Sequence, residues 1–462
     1  MRKYNKFGTI TPAILVLTGA FMVVIYALLL LLSLQLDFSN RRVFRENSLQ
    51  IAEAGVEYYK WHLIADQTDF QDGTGVPGPY LHEYFDNSGE SVGFFSLDIT
   101  PPEDGVTPII VRSTGWTNKQ PSIRRSIKAT FGQQPLTAFA FLHNSNIWFG
   151  QEVTINGPIF TNGGIRMDGT NTSTVRTSRA TYTCGIETGC TTPTEKPGIW
   201  GNGGPQELWE FPYVNVDFDS IDIDFNALKI AAQANGLYLG PSSGRGYRLE
   251  FQSDGSVNVY EVNVAQSFKG YSLEDGCENL FQDIKNESYL ASYNISSLNV
   301  IYVEDDIWVG GVVEGKVTVA AGRFPIDTNN ANIWITENIV YAQKDGTDSI
   351  GLIAQKDIIF GRDVPDYFEV NGGLLAQKGR VIRHHYNWFQ CSHGPAGQKN
   401  ELTIYGSVIS DLRSYWNFSQ GPQSPAAGFV KTTITYDPEL EAEPPSYFPS
   451  TGSLRLLKWE EE

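Results

Sequence analysis

Four aspartates stand close together in the sequence, Asp217, Asp219, Asp222 and Asp224. Carboxylates at near-alternating positions are donors that calcium takes, since it gathers about six to eight oxygens. The run lacks the glycine and the closing glutamate of a helix-loop-helix calcium loop. Asp224 also stands where a helix N-cap belongs. A second cluster, His384, His385, Cys391 and His393, falls within RHHYNWFQCSHG. Zinc takes four nitrogen or sulfur ligands. The spacing matches no standard zinc site, and adjacent histidines on a strand point to opposite faces. The eight residues are candidate metal ligands, and no cofactor is expected.

Cys184 and Cys190 bracket a short loop, TCGIETGC. They can close as a small disulfide, which persists in an oxidising compartment, or remain two thiols. The disulfide is the expected state. The sequence has no Gly-x-Ser-x-Gly, no phosphate-binding Gly-x-x-x-x-Gly-Lys-Ser/Thr and no His-Glu-x-x-His. No catalytic residue is assigned, and an enzyme is not expected. Trp148, Trp200, Trp209, Trp308, Trp334, Trp388 and Trp416 are spread along the later part of the chain. Such rings stack on sugars, anchor a protein partner, or pack the corners of a fold.

These residues sit in a chain of 462 residues with 34 Lys plus Arg against 52 Asp plus Glu, a formal charge of −18. That balance excludes a generic binder of phosphate backbones, so no nucleic-acid partner is expected. With 41% hydrophobic and 13% aromatic residues the chain is not disordered. Four Cys cannot staple a chain this long, so buried apolar surface must hold it. The 45 Gly suggest β-structure with many tight turns.

Thirty residues, from Phe7 to Leu36, carry no charge. The stretch from Ala13 to Leu34 exceeds the roughly 20 apolar residues that cross a bilayer. A cleaved signal peptide would have a shorter apolar core and a small-x-small site. One uncleaved membrane helix is therefore expected. Basic residues do not orient it: Arg2, Lys3 and Lys6 precede it, and Arg41, Arg42 and Arg45 follow. The Thr-, Asn- and Gly-rich remainder and the cysteine loop favour an extracytoplasmic bulk, making a single-pass membrane protein.

The helix should continue outward. Phe38, Val43, Ile51, Ala54, Tyr58 and Trp61 recur mostly at steps of three, four or seven, which predicts one apolar stripe. Within SLQIAEAGVEYYKWHL, the run Ala52, Glu53, Ala54, Gly55, Val56 and Glu57 resembles the AEAGIE signature of PilX-type minor pilins, which follows their membrane helix. The resemblance implies a pilin-like helix carrying a globular head, and other pilin-like or pilus-assembly proteins as partners. Pilin precursors are usually cut after a Gly, with Glu fifth in the mature chain; here the fifth residue after Gly8 is Ala13.

Between residues 66 and 135, turn signals alternate with runs at 93–99, 109–115 and 122–131, predicting a small antiparallel sheet against the helix. From Phe139 a unit [Ile/Val]-x-Gly-x-[Ile/Val/Leu] recurs at 155–159, 309–313, 370–374 and 404–408, and GLIAQK at 351–356 returns as GLLAQK at 373–378. Such repeats point to a parallel β-helix whose inward Val309, Val313, Leu374 and Val408 form ladders, the alternative being an antiparallel sandwich with similar turns. Residues 213–236 interrupt the β-pattern, with a helix expected there, capped by Asn226 or Asp224, striped by Leu228, Ile230 and Ala231, and closed at Gly236. A second non-β insert is expected at 274–293 and a Pro-rich extended tail at 434–462.

The stretches DFNALKIAAQANGLYLG, GLIAQKDIIF, ELTIYGSVIS and TYDPELEAEPPSYFP are similar to bacterial exported pilin-like proteins that join a PilX-type helix to a β-solenoid. The expected fold is thus mainly β. Residues 1–36 are the N-terminal tail and transmembrane helix, 37–138 a pilin-like amphipathic helix with a small sheet, 139–433 a β-solenoid with helical inserts, and 434–462 the tail. The expected function is structural or adhesive, in a type IV pilus-like assembly or in cell-surface attachment, with surface glycans as further partners. The alternative is a membrane-tethered β-helix enzyme acting on polysaccharides, a lyase or a hydrolase.

Overall fold

The computed structural model describes residues 10–66, 69–101, 108–213, 216, 218, 224–387, 391, 397–418 and 426–462. The chain divides into two compact units. The first comprises residues 1–101, 109–131 and 458–462; the second comprises 102–108 and 132–457.

The first unit is built on one unbroken helix, Ile10–Ala65, of 56 residues. It is the one helix among the described residues that is long and apolar enough to cross a membrane. From Ile14 to Leu36 its side chains are exposed. The following turns bury Ser48, Ile51, Ala52, Val56, Tyr59 and Leu63, at steps of one, three and four. This corrects the expected stripe: Phe38, Val43 and Trp61 are exposed, Tyr58 lies at the edge against His82 and Phe95, and only Ile51 of the six is fully buried. Close approach of the helix to a sheet, rather than side-chain size, selects the buried face.

That sheet is antiparallel in the order Tyr80–Phe85, Ser91–Thr100, Ile109–Thr117, Gln120–Pro135, with Ser450–Glu461 beside the last. A Cβ at Gly115 would lie closer than 3.0 Å to the Ser48 carbonyl and the Ala52 amide. One at Gly55 would collide with the Ser113 hydroxyl and the Phe95 ring. Ala52 and Gly55 of the AEAGVE run are thus the flat contact surface, while Glu53 and Glu57 stay exposed. The expected C-terminal tail is instead largely structured, with a short helix, Glu439–Ala442, followed by a strand. Its end pairs into this sheet, where Glu462 holds Arg112 at 2.8 Å.

The second unit is a stack of parallel strands, compatible with the expected β-helix. One column runs in register through Leu237, Ile301, Val319, Leu352, Leu374, Val408, Phe141, Ile159, Val175 and Trp209. The nine before Trp209 are buried in one aliphatic core. Fully burying one Leu or Val contributes about 1.5–3 kcal/mol, so the column is a main source of stability. The recurring motif glycines, Gly157, Gly311, Gly372 and Gly406, all have φ between +111° and +157°. Gly406 stands on Gly372, where a Cβ would strike the backbone of the coil below. Gly311, Gly372 and Gly406 lie within strands and Gly157 between two of them, and at each the positive φ calls for a residue without a side chain.

The stack does not follow chain order. The parallel strands from Leu237–Leu239 to Gln398–Ser410 stack in sequence order, and the strands Phe141–His143 and Ile159–Thr161 continue the pile above Gln398–Ser410. The helix Phe225–Asn235, capped by the Asp224 carboxylate on the Ala227 amide at 2.9 Å, covers the outside of one ladder with Phe225, Leu228 and Ala232. The expected insert at 274–293 is instead half of a long antiparallel hairpin, Ser256–Ser272 with Gly276–Asn294. It covers Trp308 and Trp334 on another face. Its polar residues suit the solvent side of a ribbon, which a search for apolar periodicity does not register.

Candidate functional site

Within the second unit, three loops from distant parts of the chain meet around a cavity of about 920 Å³. One wall is the stretch Ile147–Phe149, carrying Trp148. Parallel pairing places Trp148 beside Arg166, and Arg166 beside Trp200. The Arg166 guanidinium lies 4.1 Å from the Trp148 ring centre and 4.9 Å from that of Trp200. Asp168 accepts hydrogen bonds from Trp148 Nε1 at 2.9 Å and Arg166 Nε at 2.7 Å. Trp148 is thus fixed from behind and at its polar edge, yet it remains 40% exposed.

The second wall is the loop closed by Cys184 and Cys190, which are joined in a disulfide. Its Thr188 carbonyl accepts from Arg166 Nη1 at 3.1 Å, and Ile186 and Glu187 line the cavity. The third wall is the tip of the long hairpin, with Tyr271 and Leu273. Arg413 joins the last two walls. Its guanidinium donates to the Glu187 carbonyl at 2.5 Å and to Glu274 Oε1 at 3.0 Å. Glu274 also accepts from Arg380 and from the Tyr415 hydroxyl, each at 2.5 Å. Burial pushes the Glu274 carboxyl up, but the Tyr415 hydrogen bond and the guanidiniums of Arg413 and Arg380 outweigh it and hold it below the usual range.

The carboxylates lining this cavity are committed to neighbours. Glu152 accepts from Asn417 at 3.3 Å, Asp168 from Trp148 and Arg166, and Glu187 from Asn146 at 3.3 Å. They do the work of holding loops.

The structure distributes the predicted site residues to other tasks. Asp224 is the helix cap, while Asp217, Asp219 and Asp222 lie outside the described residues. Cys391 is bonded to Cys277, which removes it as a metal ligand. His384 is buried against Glu278 at 3.3 Å, and the His385 ring packs 4.9 Å from Phe418. His393 lies outside the described residues, as does Trp388. Among the described residues no three His, Cys, Asp or Glu gather as a metal site. Of the tryptophans, Trp308, Trp334 and Trp416 are buried packing residues, Trp200 and Trp209 are half-buried, and Trp148 is exposed.

Arg166, Arg413, Glu274 and Cys277 carry the site and had no local signature. Aligning IWF at 147–149 on IRM at 165–167, as successive coils, would have placed Arg166 on Trp148.

No family model matches the chain, and no curated protein is similar to it. Among solved structures, the competence-associated pilin ComZ from Thermus thermophilus aligns over 91% of this chain and 97% of its own, at 14% identity and a TM-score of 0.29. A likeness that low carries no weight for fold or function.

Proposed function

We propose that this chain is a membrane-anchored, exported, pilin-like protein with a structural and adhesive role in a type IV pilus-like assembly or in surface attachment. The observation that carries this is the single helix Ile10–Ala65, apolar and exposed in its first half and seated on an antiparallel sheet through Ser48, Ala52 and Gly55 in its second. A helix exposing some twenty apolar residues needs lipid or other apolar helices around it. The AEAGVE run, which resembles the PilX-type signature, lies on the seated half. All four cysteines are paired, which suits an oxidising compartment outside the cytoplasm. Partners would be membrane lipid around residues 13–34 and other pilin-like or pilus-assembly proteins.

Cell fractionation with protease added to intact spheroplasts tests it. The chain should sediment with membranes or sheared filaments, and protease should remove a C-terminal epitope. A soluble chain, or one fully protected from protease, would overturn the proposal.

A further inference from the structure

The geometry points to the cavity beside Trp148 as a binding site for a neutral oligosaccharide, an inference that rests on the adhesive part of the proposed function. Sugar rings are recognised by an aromatic face, which meets their C–H groups, together with side chains that exchange hydrogen bonds with hydroxyls. Trp148 supplies the face. Its indole is locked by Asp168 and backed by Arg166, so little rotamer freedom is lost when a ring stacks on it. Gln151 and Gln398, both exposed on the lining, supply amides that donate and accept. The cavity, about 920 Å³, is at the upper end of the range for small-ligand sites and has room for several rings.

Charge selects the class. The cations on the described lining, Arg166 and Arg413, are committed to Asp168, Glu274 and two loop carbonyls. Glu152, Asp168 and Glu187 line the same space, and the whole chain carries −18. An acidic glycan would meet repulsion with no uncommitted cation among these residues to receive it. The walls come from strands 147–149, the 184–190 loop and the hairpin tip, each fastened by a disulfide or an arginine, so the site is largely formed before a ligand arrives.

The experiment is titration of the full chain in detergent micelles with cellohexaose, maltohexaose and chitohexaose, followed by tryptophan fluorescence and calorimetry. At least one hexamer should bind saturably. Trp148→Ala should weaken it by about tenfold or more, as removal of a central aromatic contact does, and Trp148→Phe should recover part of the loss. Tyr289→Ala, exposed on the hairpin and away from the cavity, should bind as the unmodified chain does. Gln151→Ala gives an independent reading should Trp148→Ala lose its near-ultraviolet dichroism, and it should weaken binding by a few-fold. Failure of all three sugars, equal binding by a folded Trp148→Ala, or stronger binding of polygalacturonate would each overturn the site. A soluble chain that bound one of the hexamers would overturn the membrane anchor and leave the site standing; a membrane chain that bound none would do the reverse.

Discussion

Asn144 donates a hydrogen bond from its side-chain amide to Asp411 Oδ1 at 2.8 Å, although 267 residues separate the two. Asn162 in turn donates to Asn144 at 2.8 Å, so three successive coils are tied at one corner. The first coils of the second unit are therefore laid on its last ones. At 306, 332, 357 and 380 the ties run instead from main chain to side chain: Asp306, Asn332 and Asp357 each accept the backbone N–H of the next coil at 2.8 to 3.1 Å. Short polar side chains of this kind fix register where strands end and backbone donors would otherwise be orphaned.

Val408 lies between Leu374 and Phe141 in the buried column. Val408→Asp would place an unpartnered charge in that core and should cost about 3 kcal/mol or more. Because the next coil upward is 141–143, hydrogen exchange at Phe141 and Leu142 should accelerate along with exchange at 404–410. A stack in chain order would leave the 141–143 amides protected, and that result would refute the pairing.

The seat of the long helix is equally open to test. Gly115→Ala would press a methyl against the Ser48 carbonyl and Ala52 amide, which are backbone and cannot swing away. Overpacking of this kind should cost about 1–3 kcal/mol, seen as a lower melting temperature of the full chain in detergent. Glu53→Ala, on the exposed side of the same turn, should stay within about 0.5 kcal/mol of the parent. Equal melting of both variants would mean that the helix does not lie flat at Gly115.

Much of this architecture was legible. The apolar stretch gave the helix, Asp224 and Gly236 bracketed the short helix, and the repeated Gly motif marked positions of positive φ, with Leu352 and Leu374 of the two AQK runs adjacent in register. The buried stripe of the long helix was not legible from its large apolar residues: Gly93 and Gly115 on the sheet let the helix close in at Ser48, Ile51 and Ala52, and Gly55 leaves room for Ser113 and Phe95. The permuted stacking was not legible at all. Parallel pairing between residues 141 and 408 leaves no local trace, and loop closure over that distance is set by the whole fold. For the same reason the cavity, whose walls come from 148, 187, 271 and 413, could not be assembled from sequence neighbours.

Asp306 gives a pH-dependent reading of one corner. Burial pushes its carboxyl up to about 6, opposed by Arg323 and by the Asn332 amide. The unfolded chain loses this proton near pH 4, so between about 4 and 6 the folded state holds one proton more, and stability falls as pH rises. Asp306→Asn removes that titration. The variant should therefore gain on the parent by up to about 2–3 kcal/mol between pH 4 and pH 6, and by nothing further above it. Melts across this range check it; a constant difference would mean that Asp306 titrates normally.

The two disulfides should differ in how much they stabilise. Cys184–Cys190 closes a loop with a separation of 6 residues, whereas Cys277–Cys391 spans 114. In the chain-entropy estimate a cross-link removes more freedom from the unfolded chain the longer the loop, about 2 kcal/mol for the first and about 5 kcal/mol for the second. Paired Cys→Ser changes should follow that order in melting temperature. The local effects should differ as well. The short bridge shapes the loop that carries Thr188 and Glu187, so its loss should loosen the contacts to Arg166 and Arg413 and alter the fluorescence of Trp148. The long bridge ties the hairpin to residue 391, so its loss should release the hairpin tip and the Glu274 contacts with Arg380 and Arg413. Mass spectrometry of an unreduced digest should find both linked peptides. Recovery of Cys277 and Cys391 as alkylated thiols from native protein would refute the second bridge and restore Cys391 as a free side chain.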